Sequence, residues 1–314
     1  MTAPGHEPGH RIGLDIGGTK TLAVLLDPEG RVLASRRGPT ELGADGVVRT
    51  ALDAVDALTA DARLDASAPW TVGVGVPGLV TAGGRVTHAV NLGVDGRALD
   101  LGGLLGDRLR RPVSIENDVN AAALGATTLL APGSPRDVAY LSLGTGLAAG
   151  LVLDGVLRRG AHGAAGEIGH LALDPGGAEC PCGQRGCLET IASGSALATA
   201  WPTAGAPPAQ ALFDAADSGD ARALTVRARF AEGVAAAIRI LCLTADVEAV
   251  VIGGGVAQLG ERLLVVVAEA LTARAASSEF LASLALPDRL RVVPLDYPVA
   301  AVGAALLAGT GDGR

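Results

Sequence analysis

Apolar residues follow two spacings along this chain. Short apolar runs at 11–16 (RIGLDI), 21–27 (TLAVLLD), 70–77 (WTVGVGVP), 112–117 (PVSIEN), 247–254 (VEAVVIGG) and 290–295 (LRVVPL) predict strands. Longer stretches with apolar residues every three or four positions predict helices at 46–64, 101–111, 119–130, 221–245 and 260–276. One unit occurs twice. Residues 11–37 read as an apolar strand, a GGT turn, a strand ending in Asp27, a PEG turn and a basic strand, RVLASRR. Residues 138–160 repeat it as VAYLSL, GTG, LAAGLVLD and GVLRRG. The repeat predicts two related half-molecules facing each other. Strands alternating with helices predict mixed α/β sheets with helices packed on them. The stretch 201–210 (WPTAGAPPAQ) reads as an exposed Pro/Ala loop.

The glycine turns narrow what the halves can hold. No stretch has the spacing of a Walker phosphate loop. Residues 73–78 (GVGVPG) match G-x-G-x-x-G, but a dinucleotide site needs a helix straight afterwards. The next twelve residues, LVTAGGRVTHAV, read as a hairpin, which sets that reading aside. The turns DIGGT (15–19) and LGTG (143–146) differ in kind. Each is a tight hairpin whose backbone N–H groups and Thr hydroxyl can face a phosphate. Asp15 can hold Mg²⁺, directly or through water. A third glycine turn, VVIGGGVAQLG (250–260), suits the adenosine of a nucleotide. Three such loops and a duplicated hairpin indicate ATP clamped between two halves.

Composition removes other classes. With 49% apolar and 18% charged residues, the 314-residue chain is globular and large enough for about two domains. Aromatics are only 2%, so the core is built from Ala, Val and Leu. A net charge of −8 argues against nucleic acid as the main partner. No apolar run approaches a membrane span. The opening MTAPGHEPGHRIG has no secretion-signal pattern, which places the chain in the cytoplasm with its thiols reduced.

Three of the four cysteines, Cys180, Cys182 and Cys187, crowd into CPCGQRGC, with His170 upstream. Reduced thiols disfavour a disulfide reading. Three thiolates and an imidazole are the ligand set of a closed tetrahedral zinc site; a free-thiol or redox loop is the alternative. Cys242 sits in an apolar stretch and reads as a buried small hydrophobe. The chain has 24 arginines and one lysine, Lys20, and only three asparagines, Asn91, Asn117 and Asn120.

LDIGGTK, GVGVPG, IENDVNAAALG, LSLGTG, GAAGEIGH and CPCGQRGCLE occur together and in this order. Over residues 11 to 310 the chain resembles the ROK family of sugar kinases and related repressors. That resemblance implies the fold of the sugar-kinase, actin and heat-shock ATPase superfamily. Two related α/β domains of this actin-like ATPase (ribonuclease H-like) type would flank a cleft. Residues 1–117 plus 299–314 would form the smaller domain. Residues 118–298 would form the larger, with the zinc loop and the dimer contacts of a homodimer or dimer of dimers. It implies an ATP-dependent hexose kinase, with glucose leading and N-acetylmannosamine, N-acetylglucosamine and fructose open.

A kinase site must supply a general base. Asp118, where a strand meets a helix, is the candidate; the plainer reading makes it the helix N-cap. Glu116 reads as structural. The resemblance assigns sugar contacts to Asn117, Glu167, His170 and Glu189, and to Asn91 and the Gly78 backbone. One ring nitrogen of His170 can then ligate a structural zinc while the other faces a sugar hydroxyl. Nucleotide and Mg²⁺ contacts fall to Asp15, Gly17, Gly18, Thr19, Lys20, Gly144, Thr145, Gly146, Gly254 and Gly255. Lys20 reads either as a phosphate contact or as a solvated turn residue. His162 reads as a loop residue near the site, and His6, His10 and His88 carry no signal. Three departures stand out. Ala148 and Ala149 replace glycines beside the second loop, where nucleotide binding should survive. Ala126 stands where a Glu is frequent, and Val94 where an aromatic is frequent, at the sugar pocket's rim. A repressor of the family would carry a helix-turn-helix ahead of the first glycine loop, and only ten residues precede Arg11. A non-catalytic sugar sensor is the further alternative, against which Asp118 and Lys20 argue.

Overall fold

The unit that the sequence repeats builds one sheet in each half of the chain. The computed structural model describes residues 9–64, 69–81, 83–94, 98–130 and 136–308. The readings of His6 and of both chain termini lie outside these residues. In chain order the first elements are β1 (His10–Ile16), β2 (Lys20–Leu26), β3 (Val32–Pro39), α1 (Ala44–Asp61) and β4 (Trp70–Val76). Next are β5 (Leu79–Val80), β6 (Arg85–Thr87), β7 (Leu99–Asp100), α2 (Leu101–Leu109), β8 (Val113–Asn117) and α3 (Asp118–Thr127). The repeat brings β9 (Val138–Leu143), β10 (Leu147–Leu153) and β11 (Val156–Leu157). Then come α4 (Gly194–Ala200), α5 (Pro208–Asp217), α6 (Ala221–Ala245), β12 (Ala249–Gly253) and α7 (Glu261–Ala275). The last are α8 (Glu279–Ser283), β13 (Leu290–Val292) and α9 (Val299–Leu307).

One sheet has the order β3-β2-β1-β4-β8 and the other β11-β10-β9-β12-β13. In both, an antiparallel hairpin is extended by a third antiparallel strand on one side and by two parallel strands on the other. The two α/β halves therefore share one topology, as the duplicated hairpin predicts. The copies differ at the third strand. β3 is a full strand, whereas β11 has only two residues before the backbone of Arg158 turns to donate to the Leu151 carbonyl (2.7 Å).

Contacts group the chain into two compact units. The first is Met1–Ala131, Arg159–Ala164 and Pro298–Arg314; the second is Pro132–Arg158 and Ala165–Tyr297. The first unit thus runs past the expected boundary at 117 and takes in α3. Glycine explains this. A Cβ on Gly125 would overlap the Val299 carbonyl, and one on Gly303 the Ala121 carbonyl. Only glycines let α3 and α9 touch backbone to backbone. α9 also lies against the sheet over Gly13 and Gly73, where a side chain would strike Ala301 or Ala304. Apolar side chains of β1, β4 and α1, among them Ile12, Leu14, Val72, Val74, Val55 and Leu58, are fully or almost fully buried in this unit.

The second unit's core joins β9 and β12 to α5, α6 and α7 through Leu141, Ile252, Phe213, Phe230, Ile238 and Val267. Each such side chain contributes about 1.5–3 kcal/mol on burial. α4 and α8 escape the sequence pattern because they are short. α5 starts at Pro208, inside the stretch that reads as a loop; Pro is well placed in a first turn, where its missing N–H has no partner to lose. Among the described residues no helix is long and apolar enough to cross a membrane.

Candidate active site

In the first unit the site begins at the β8–α3 junction. Asn117 is the N-cap: its Oδ1 accepts from the backbone N–H of Val119 (2.9 Å) and Asn120 (3.2 Å). The plainer reading of Asp118 as the cap is thereby corrected. Asp118 is the first helical residue, and its Oδ1 also lies 2.9 Å from the Val119 nitrogen. Asn117 Nδ2 donates to the Gly78 carbonyl (3.0 Å). That contact needs Gly78: its φ is +101°, and a Cβ there would meet the Thr87 carbonyl. The GVGVPG motif thus leads into the β5–β6 hairpin, with no helix after it.

Beneath the junction lies Glu116, which is buried. Its Oε1 accepts from the Asn117 backbone (2.9 Å) and from Asn120 Nδ2 (3.0 Å). Its Oε2 accepts from Arg159 Nε at 2.5 Å. Asn120 and Arg159 are the site residues that sequence reading missed. The scarcity of asparagine was a signal for the first; nothing in the sequence marks Arg159 among so many arginines.

The first glycine hairpin closes with Gly17 N–H donating to the Lys20 carbonyl (3.0 Å). A Cβ on Gly18 would lie 2.5 Å from the Asn91 carbonyl, so this loop rests on the turn that carries Asn91. Thr19 and Lys20 are exposed. Asp15, one residue before the end of β1, is pushed up to about 7. Burial is the main cause, the negative charge of Asp118 adds to it, and Lys20 opposes it. Asp15 and Asp118 are thus electrostatic neighbours.

The second unit has its own cluster. Gly144 N–H donates to the Gly146 carbonyl (3.1 Å), while Glu189 Oε2 accepts from the Leu147 N–H (2.9 Å). Gly194 and Ser195, at the start of α4, donate to the carbonyls of Gly144 (2.8 Å) and Thr145 (3.1 Å). Gly254 has φ +86°, and a Cβ there would lie 2.8 Å from the Gly144 nitrogen, so the third glycine turn packs on the second. Gly255 comes after it with open space beside it. Ala149 faces the core, and its N–H donates to the Gly166 carbonyl (2.8 Å). Its methyl therefore points away from the opposite sheet face shared by Ala148 and Ser142.

Glu167 is exposed and precedes a 3₁₀ turn, Ile168–His170. That turn brings His170 to the cysteines. His170 Nδ1 lies 3.8 Å from Cys180 Sγ, and the sulfurs of Cys182 and Cys187 are 3.7 Å apart. All four ligand atoms lie within 4.8 Å of one another. A sulfur separation of 3.7 Å is far beyond a disulfide bond. It matches the edge, about 3.8 Å, of a tetrahedron with Zn–S bonds of about 2.3 Å. Hydrogen bonds from Gln184 hold the Cys182 thiol down to about 6, and burial pushes Cys187 up to about 12. Gly169 links this centre to the glycine loop, since a Cβ there would lie 3.5 Å from Glu189 Cβ.

A model of the ROK family matches residues 11–310. The chain belongs to the ROK family. This ROK protein is 35% identical over 273 residues to a glucokinase of Halalkalibacterium halodurans, which is 81% of its own length and 82% of the relative's. It is 34% identical over 255 residues to an N-acetylmannosamine kinase of Escherichia coli, 78% and 82% of the two chains. A solved ROK family glucokinase from Streptomyces griseus, in complex with glucose and AMPPNP, aligns with a TM-score of 0.76 at 31% identity. That alignment covers 96% of this chain and 99% of the other. The two duplicated sheets are therefore those of the two-domain actin-like ATPase fold that ROK sugar kinases share.

Proposed function

We propose that this ROK protein is an ATP-dependent hexose kinase, with phosphorylation of glucose to glucose 6-phosphate as its leading reaction. The observation that carries the proposal is the register of the first sheet, in which Asp15 on β1 and Glu116 on β8, two residues before Asp118, both pair with Gly75 on β4. It puts a carboxylate at a strand-to-helix junction beside the first glycine hairpin, which has the form of a phosphate turn. The glucokinase relatives support the choice of reaction and of glucose.

Phosphoryl transfer to an alcohol needs alignment, neutralisation of phosphate charge and a proton acceptor. Asp118 accepts the proton of the attacking hydroxyl. Asn117 keeps one amide hydrogen beyond its bond to Gly78 and offers it to the sugar, while Asn91 and the Gly78 backbone lie close by in the same unit. Glu167, His170 and Glu189 supply the second unit's sugar contacts. Gly17, Gly18, Thr19 and Lys20 are the first unit's phosphate contacts, Gly144, Thr145 and Gly146 the second unit's, and Gly254 and Gly255 its contacts to the adenosine. Mg²⁺ bound at Asp15 would neutralise phosphate charge. Zinc held by His170, Cys180, Cys182 and Cys187 would be structural, because four protein ligands leave no open position. It would fix the imidazole of His170 and the loop that carries Glu189. By the family resemblance the protein is a cytoplasmic homodimer or dimer of dimers.

The likeness to an N-acetylmannosamine kinase supports a second reading of the substrate. One assay tests both: ADP release coupled to an optical readout, across glucose, N-acetylmannosamine, N-acetylglucosamine and fructose. The expected result is sugar-dependent ADP release with the highest kcat/KM for glucose. A higher value for N-acetylmannosamine would move the substrate. Saturable sugar binding without ADP release from any of them would overturn the kinase reading in favour of a sugar sensor.

A further inference from the structure

The buried carboxylate of Glu116 has no direct place in the chemistry above, yet it is the most heavily engaged group under the β8–α3 junction. One oxygen takes two hydrogen bonds from the junction itself, from the backbone of Asn117 and the side chain of Asn120. The other takes the Arg159 guanidinium at 2.5 Å. At this depth a cation and hydrogen bonds stand in for the water a carboxylate loses. Arg159 is the cation that does so, and it is itself about one third exposed.

The place of Arg159 in the chain is unusual. Its neighbour Arg158 is held in the second unit, where its backbone donates to Leu151 and its guanidinium to Leu153. At Arg159 the chain enters the six-residue segment, Arg159–Ala164, that belongs to the first unit, and it leaves again at Ala165. The Arg159–Glu116 pair is the one ion pair or side-chain hydrogen bond described for that segment. Beyond the segment come Glu167 and His170.

We infer that Arg159 is a positioning residue for the phosphoryl transfer: through Glu116 it sets the junction on which Asn117 and Asp118 are aligned. This rests on the proposed role of Asp118 as the base. The logic is that of a two-link chain. Arg159 holds and orients Glu116. Glu116 in turn fixes the Asn117 N–H and the Asn120 amide, and so the first turn of the helix whose opening residue is Asp118. With Arg159 gone, the carboxylate loses the partner of one oxygen and is free to turn toward water, which releases the junction. A displacement of about 1 Å at a reacting group costs as much as 10²-fold in rate, without necessarily weakening ground-state binding.

The test is steady-state kinetics on the full-length protein with Arg159→Ala, Arg159→Lys, Glu116→Gln and the double variant Arg159→Ala/Glu116→Gln. Arg159→Ala is expected to lower kcat by about 10-fold or more, with both KM values within about 3-fold. Arg159→Lys, which keeps the charge but loses the planar fork, should recover part of that loss. The double variant should be no worse than the poorer single one, because both act through the same junction. If Arg159→Ala does not fold, Arg159→Lys and Glu116→Gln carry the test on the same kcat-against-KM split. A kcat within about 2-fold of the parent in the folded variants, or strictly multiplicative losses in the double variant, would overturn the inference. Asp118→Asn is measured alongside. Turnover lost there but intact in the Arg159 and Glu116 variants defeats this inference alone; turnover retained in Asp118→Asn defeats the base reading beneath it.

Discussion

Two hairpins of this protein have the same strand order around them and opposite surroundings. In the first, β1 runs to Asp15 and the loop ends at Lys20. In the second, Ser142 stands where Asp15 stands, one residue before the strand's end, and no lysine comes after it. Charge gathers at the first: Asp15 and Asp118 repel, and Lys20 moderates them. The second is braced by backbone instead. Gly194, Ser195 and Gly254 pack on its loop, and one oxygen of Glu189 accepts from the Leu147 N–H. The two hairpins sit in one strand order, and one strand position, Asp15 against Ser142, separates the charged one from the one braced by backbone. The third strand diverged too. β3 completes its sheet, while the shortened β11 lets the chain leave at Arg159, which pairs with Glu116 under the β8–α3 junction.

The largest test of this contrast is Asp118→Asn. Turnover should fall by about 10²-fold or more, with the sugar's dissociation constant within a few-fold of the parent's. Equal losses in binding and turnover would mean that the junction only recognises the sugar.

The backbone-braced half is tested through its candidate metal site. Elemental analysis of protein purified without added metal should give one zinc per chain. Cys187→Ser should lower the melting temperature and raise the sugar KM by about 10-fold or more, since His170 and Glu189 lose their anchor. Full activity in zinc-free protein would end the structural role.

A pH series sharpens the charged half. Folding raises Asp15 from an ordinary carboxylate value to about 7, so the folded state favours its proton. The parent therefore loses stability as pH rises from about 4 through 7, and Asp15→Asn does not. In metal-free protein the variant should melt at nearly the parent's temperature near pH 4 and several degrees higher at pH 8. A constant gap across that range would dismiss the buried charge as its source.

The smallest effect is expected from Lys20→Arg. The side chain is exposed and acts on Asp15. If it also meets ATP, its replacement should raise the KM for ATP a few-fold and leave the sugar KM alone. Two unchanged constants would make it a solvated turn residue.

Much of this was legible in the sequence because apolar runs and glycine turns are local signals. The duplicated hairpin, the long helices and the Cys/His cluster could all be read from neighbours in the chain. What could not be read depends on partners far away in sequence. Asn117, rather than Asp118, takes the cap because its amide is also held at Gly78, thirty-nine residues away. The place of α3 in the first unit depends on Gly125 meeting Val299. Arg159 looks like any other arginine until Glu116 is placed beside it. The 3₁₀ turn that delivers His170 is too short for any periodicity to show.

The helix that fits against Gly13 and Gly73 also sets an order of assembly. β1 and β4 leave the ribosome early, but α9, which fills the trough over them and clasps α3, is translated only after the whole second unit. The second unit has all its pieces while the first still lacks its lid. A nascent chain must therefore hold a finished sheet with one bare face until its last helix arrives, and contacts between such distant segments form slowly. Synthesis should thus let the second unit fold before the glycine hairpin and Asp118 acquire their final geometry. The first unit would reach its finished form only after the second.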